Sequence, residues 1–405
     1  MDFYLSIGII LIFKNFLIFA FFVAIVTKYI IMYIMIKSQE VAVMEKLQQY
    51  YRGCLLGLAV GDAMGYTVDD KTWEEIQENY GPGGLLGYDL KEAEFAPVTS
   101  YTQIAAFLCN GFLLGLTRAR GEYMRWGKVA LKEWTRSQQF YRDPEDSYCF
   151  LCKLPEFHRR HCRDVRMLDN HRLEAYGTMA EPKNTYTAPG AITAGVAAGM
   201  LYLPGRISPD KVGILAGELI ALTHGNAETF LSGVVLAYSI AGILHDSSHG
   251  LSEHFMQAIE VTERQFGGKF PQMESLSQKL RRAIGLSQAG GITHLQGMEQ
   301  LGCVDAADCL AGAMYACLVC PEDFDGAVIT AVNHSGKSAA VGAIAGAIMG
   351  ARLGEEALPE FYLESLESVD MLGVLAEDMS SGTPALGIFD DSWDHKYEQG
   401  QPPEN

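Results

Sequence analysis

The chain has 405 residues, 49% of them hydrophobic and only 20% charged, with a formal net charge of −18. That length and apolar content support a large buried core and exclude a disordered chain. The acidic balance and the lack of any Lys/Arg-rich run exclude a surface that gathers nucleic acid. The nine cysteines are odd in number and scattered, several of them in apolar text such as Cys109, Cys309 and Cys317. They are expected as reduced, buried thiols of a cytoplasmic protein rather than as a disulfide framework.

Residues 1–43 read differently from the rest. From Phe16 to Ile36 only Lys28 is charged, a stretch long enough to cross a bilayer as a helix. No small-residue cleavage site follows, which disfavours a removable signal peptide. Two readings remain: a membrane anchor that leaves the domain in the cytoplasm, or translation that really starts at Met44. The second is preferred, because the domain text begins cleanly there.

Residues 45–64 then form an apolar helix that ends near Gly61-Asp62-Ala63-Met64-Gly65. Asp70 to Glu78 reads as a polar helix, and Gly81-Pro82-Gly83-Gly84 as a loop. Thr99 to Arg118 is a buried helix opened by a Thr/Ser cap, and Trp126 to Gln138 is amphipathic. Residues 141–187 are polar and expected to carry the longest loops. Apolar helices follow at Ala191–Leu203, Pro209–Thr223 and Ala227–His245, then amphipathic ones at Leu251–Phe266 and Leu276–Ala289. Asp305–Val319, Asp323–Val332 and Ser338–Leu353 complete the core. No period-two run of β-branched residues occurs, so the expected class is all-α. The chain turns polar after about Met379. The expected organisation is a hydrophobic segment over 1–43, one domain over 44–380 and a polar tail over 381–405.

Three segments in order carry a resemblance. They are Arg52-Gly53-Cys54-Leu55-Leu56-Gly57-Leu58-Ala59-Val60-Gly61-Asp62-Ala63-Met64-Gly65, then Val98-Thr99-Ser100-Tyr101-Thr102-Gln103, then Asn333 to Ala347 with its Gly342-Ala343-Ile344-Ala345-Gly346-Ala347 helix. Together they resemble the ADP-ribosylglycohydrolase family, with support from Leu222-Thr223-His224-Gly225 and Pro189-Gly190-Ala191-Ile192-Thr193. The resemblance runs from residue 51 to about 380. It implies a compact orthogonal helical bundle whose cleft holds two divalent cations, usually magnesium. Those ions position ADP-ribose and help cleave its bond to a protein side chain. Hard cations want oxygen ligands, and carboxylates supply both charge and geometry.

The sequence departs from the family pattern where those carboxylates belong. The family's Thr-Asp-Asp-Thr-Gln stands here as Thr99-Ser100-Tyr101-Thr102-Gln103. The two aspartates of its second element are replaced by Lys337 and Ala339, and Ala340 follows. An ammonium about 4 Å from a cation is repelled by about 4 kcal/mol per unit charge at an effective dielectric near 20. Magnesium binding is therefore expected to be lost, with no cofactor and no metal ligands. One reading makes the cleft a binder of ADP-ribose-like molecules or ADP-ribosylated protein. In it Lys337 attracts a phosphate, and Thr99, Ser100, Tyr101, Thr102, Gly336 and Ser338 line the ligand. The equal alternative is that Tyr101 and Lys337 merely plug a dead site.

Asp62 and Asp69 are the candidates for any surviving acid–base catalysis, and each reads equally as a cap or loop carboxylate. His224 is the best single candidate for a phosphate or ribose contact, with a capping role as the bland alternative. A working hydrolase of N-glycosidic linkages with altered, metal-independent chemistry is the alternative function, and a membrane-anchored binding module the third. Cys149-x2-Cys152 with His158, His161 and Cys162 has spacing that admits zinc, although Leu151, Leu154 and Phe157 between them read as an ordinary helix packing face.

Overall fold

The computed structural model describes residues 27–30, 32, 33, 35, 44–91, 93–118, 121–139, 147–158, 160, 162, 165–383 and 391–397. Two units separate, 1–47 and 48–405. In the first, the few described residues are helical, and Tyr29, Ile30, Met32 and Tyr33 are exposed. Most of the expected membrane stretch lies outside the described residues.

The second unit is all-α. Its helices are α1 (residues 48–68), α2 (Trp73–Tyr80), α3 (Ser100–Thr117), α4 (Tyr123–Gln139), α5 (Val165–Leu173), α6 (Ala194–Met200), α7 (Pro209–Ala221) and α8 (Ala227–His245). They continue as α9 (Leu251–Phe266), α10 (Gln272–Ser287), α11 (His294–Leu301), α12 (Ala306–Val319), α13 (Phe324–Val332), α14 (Ser338–Leu353), α15 (Glu360–Glu364), α16 (Val369–Ser381) and α17 (Asp391–Tyr397). Among the described residues, extended pairing is limited to one bridge between Ala96 and Leu366. α8 is the one described helix long and apolar enough to cross a membrane, and most of it is buried inside the protein.

The centre of the unit is the antiparallel pair α1 and α14, both buried along almost their whole length. They meet through glycines one turn apart: Gly53 against Gly350, Gly57 against Gly346, Gly61 against Gly342, and Gly65 against Ser338. A Cβ at any of these four α1 positions would overlap the facing carbonyl oxygen. Only glycine lets two helix backbones approach this closely. The seam aligns the end of α1 with the start of α14. α3 packs on α4 and α6, α8 on α6, α7 and α9, and α12 on α10 and α14.

Several elements differ from the sequence expectation. The polar helix begins at Trp73, where Thr72 and Glu75 form a capping box, because Asp70 takes a left-handed conformation (φ 62). α10 starts at Gln272, four residues before the expected Leu276. The polar stretch 141–187 contains α5 and two 3-10 turns, Phe150–Lys153 and Pro155–His158, so Leu151 and Phe157 pack from 3-10 turns and not from an α-helix. α11 was not expected. The domain also runs past residue 380. Trp393 and Tyr397 of α17 are buried, with Trp393 Nε1 donating to Thr117 Oγ1 at 3.0 Å and Arg118 Nε to the Tyr397 carbonyl at 2.6 Å.

None of the nine cysteines is in a disulfide, and every one except Cys320 is buried. The zinc spacing does not become a site among the described residues, where no group of three His, Cys, Asp or Glu is arranged to hold a metal. Cys149 and Cys152 lie beside the buried Glu133, which accepts from the Tyr148 and Cys149 amides at 2.9 and 2.8 Å. Burial, with Glu133 adding to it, pushes both thiols up, so they keep their protons. His161 lies outside the described residues.

The seam makes a test by contrast. Gly61→Ala should lower stability by about 3 kcal/mol, as overpacking of a close contact does. Gly285→Ala, on the exposed face of α10 with open space around it, should instead raise stability by about 0.5–1 kcal/mol. Urea unfolding of the two variants reads both signs.

Candidate functional site

The seam delivers the residues after Gly61 to the starts of two helices. Asp62 is fully buried, and its carboxylate accepts four hydrogen bonds from the first turn of α3. Oδ2 takes the Thr99 amide at 2.8 Å, the Thr102 amide at 3.1 Å and the Thr102 hydroxyl at 2.6 Å; Oδ1 takes the Thr99 hydroxyl at 2.6 Å. Burial pushes this carboxyl up to about 6, while the hydrogen bonds to Thr102 and Thr99 pull it back down. Asp62 is thus a cap that fixes α3, with its acceptor positions filled. The capping role is one of the two readings weighed equally for Asp62 from the sequence. Thr99 and Thr102 are committed to the same network, and Thr99 Oγ1 also accepts from the Tyr101 amide at 3.3 Å.

Asp69 does for α14 part of what Asp62 does for α3. It is half-buried, and its Oδ1 accepts from the Ala339 amide at 3.1 Å. A carboxylate therefore stands at the positive end of each of the two helices. Most first-turn amides are already spent: Ser338 N donates to Gly336 O at 3.1 Å and Lys337 N to Cys303 O at 2.8 Å. The helix starts consequently offer an anion fewer amides than their sequence suggested.

Between the two starts stands Tyr101. Its carbonyl accepts from Thr193 Oγ1 at 2.8 Å. Its phenol is kept protonated, pushed well above the usual range by burial and then by the nearby Asp69, Cys309, Asp62 and Cys162. Ser100 is buried beside it at the head of α3. Across the gap, Lys337 Nζ meets Asp70 Oδ1 at 2.6 Å. That pair is part-exposed, 31% for the lysine and 51% for the aspartate side chain, so it contributes only about 0–1 kcal/mol to stability. The Ser338 hydroxyl is fully buried and has no hydrogen-bond partner among the described residues.

His224 belongs to a neighbouring cluster. It is fully buried, shares a 2.9 Å hydrogen bond with the Thr223 hydroxyl and meets the Tyr186 ring edge-on at 6.4 Å. Asn184 holds this turn, taking the Gly225 amide at 2.8 Å and donating to the Thr223 carbonyl at 2.9 Å. Arg166 lies over Tyr186 at 4.4 Å. Burial and then the nearby His224 push His171 down to about 3, so His171 is neutral. The structure puts two of the singled-out residues at these helix starts, Asp62 at α3 and Asp69 at α14. Sequence reasoning missed Asp70, Tyr186, Arg166 and His171. For Asp70 the one available signal was its position next to Asp69.

If Asp62 holds α3 in place, Asp62→Asn should cost about 3 kcal/mol or more in the absence of any ligand. The variant turns two amide donors and two hydroxyls toward a poorer acceptor. Unchanged urea stability would show that the carboxylate has no capping role.

Residues 44–387 match the sequence profile of the ADP-ribosylglycohydrolase family. An uncharacterized protein of Archaeoglobus fulgidus is 25% identical over 344 residues, covering 82% of this chain and 95% of that protein. A solved structure described as an ADP-ribosylglycohydrolase-related protein complex shares the fold, with a TM-score of 0.56 at 21% identity over 84% of this chain and 99% of the other. The profile covers most of the length, and its region contains both helix starts, Asp62 and Asp69: the chain belongs to the ADP-ribosylglycohydrolase family.

Proposed function

We propose that this chain binds ADP-ribose or a related nucleotide, free or attached to protein, in a metal-depleted cleft and does not cleave it. The observation that carries this reading is Lys337 at the head of α14, its ammonium paired among the described residues with the exposed Asp70 just beyond α1. A lysine at a helix start attracts phosphate oxygen through its charge, with the helix dipole in the same sense. Tyr101, Ser100 and Ser338 supply hydroxyls around it.

The residues present do not fit a pair of divalent cations. The first turns of α3 and α14 contain no carboxylate. Asp62 spends its oxygens on α3, Asp69 accepts from α14, and Asp70 faces an ammonium. No hydrolytic step is therefore derived through metal. Thiols outside any disulfide fit a reducing compartment, which supports a cytoplasmic location. The alternative, a hydrolase of altered chemistry, leans on Asp69, because Asp62 is filled and His224 is tied to Thr223.

Titration calorimetry of the full chain with ADP-ribose, in magnesium and in chelator, tests the reading. Equal affinity in both conditions is expected, with no release of ribose products. Lys337→Met should weaken binding about 10- to 100-fold, the worth of one charge-assisted hydrogen bond of ~1.5–3 kcal/mol. Magnesium-dependent binding or turnover would overturn it.

A further inference from the structure

We infer that Asp70 is a built-in competitor for Lys337, an internal anion that a ligand phosphate must displace, so that the charge of Asp70 sets both the affinity and the charge class of what the cleft accepts. The inference rests on the binding role given above for Lys337 and adds to it a residue that regulates it.

Three strands of chain are knotted so as to hold Asp70 there. The Asp70 amide donates to Gly336 O at 2.9 Å, the Gly336 amide to Lys71 O at 3.4 Å, and the Lys337 amide to Cys303 O at 2.8 Å. Asp70 and Cys303 are both non-glycine residues in the left-handed region, at φ 62 and 47, and Gly336 has φ 136. A Cβ on Gly336 would lie 2.6 Å from the Cys303 carbonyl oxygen. Strained residues persist where the surrounding structure over-determines them. Here they converge on one side chain pair. Backbone hydrogen bonds, in addition to the Asp70–Lys337 contact, hold these loops together.

The pair itself is weak and reaches solvent, which leaves the lysine free to exchange partners. One residue further on, the Ser338 hydroxyl is sealed from solvent with no partner among the described residues. A buried polar group left unmade is costly, and at this helix start it marks a place for a ligand oxygen. A phosphate or diphosphate supplies the missing oxygens and outcompetes a single carboxylate by charge and by the number of acceptors. A neutral nucleoside supplies neither and gains nothing from displacing Asp70.

Asp70→Asn removes the charge and keeps a residue type that tolerates the left-handed conformation; Asp70→Gly serves if the first variant folds poorly. Calorimetry at low ionic strength in chelator would compare inorganic pyrophosphate, ADP-ribose and adenosine on the full-length wild type and on these variants. Asp70→Asn should tighten pyrophosphate and ADP-ribose about 10-fold and leave adenosine unchanged. The gain should vanish when Lys337→Met is added. If the wild type binds ADP-ribose and neither Asp70 variant tightens it, the competitor role is wrong while the binding cleft stands. A gain that survives Lys337→Met would also overturn the inference, because Asp70 would then act by general repulsion. If no form binds ADP-ribose or pyrophosphate, both the inference and the binding cleft fall.

Discussion

Everything at the site depends on the distance between two helix backbones. At their contact positions the glycines of α1 and α14 put no side chain between the two backbones, so the facing carbonyl oxygens lie where a Cβ would be. Contacts of that kind are individually weak, but they permit no slack. A helix pair separated by side chains has room to slide or tilt when those side chains repack; this pair does not. The register Gly53–Gly350, Gly57–Gly346, Gly61–Gly342 therefore fixes Asp62, Asp69 and Asp70 relative to Lys337, Ser338 and Ala339.

The second level of order is electrostatic. Asp62 gathers the head of α3 and Asp69 the head of α14, each opposing a positive helix end with a carboxylate. The two differ in burial, and the difference matters. Asp62 is sealed with its acceptors filled, which makes it part of the scaffold. Asp69 is half-exposed and lies near enough to the protonated phenol of Tyr101 to influence it. Sequence motifs place both aspartates in the same stretch and cannot tell them apart.

The fold was legible where helices are long and apolar. α3, α8, α12 and α14 stand within a few residues of their sequence expectation, because their apolar runs and caps agree. Short polar helices were not. α5 carries few apolar residues, and α11 has only eight residues, although its Thr293–Gln296 capping box was readable. α17 was read as tail because Trp393 and Tyr397 are two aromatics in a polar text, and partners distant in sequence, the end of α3, Phe150 and Asp378, give them somewhere to go. At the two helix starts the sequence itself reads Ser100, Tyr101, Lys337 and Ala339, with no carboxylate among them. The pairing of Lys337 was not legible, because its partner Asp70 is brought to it by loops distant in sequence, and no local pattern encodes that meeting.

The thiols have a use that follows from their burial alone. With Cys320 as the one part-exposed exception, all are enclosed, and burial keeps Cys54, Cys109, Cys149, Cys152, Cys303, Cys309 and Cys317 protonated, spread from α1 through α3 and the 3-10 turns to α12. A thiolate is the reactive species, so none of the enclosed sulfurs is open to an alkylating reagent while its surroundings stay packed. The chain thus carries an internal clock for its own local openings, readable one helix at a time by which cysteine acquires mass first. That record would rank the parts of the bundle by how often they come apart, with no label added and no residue changed.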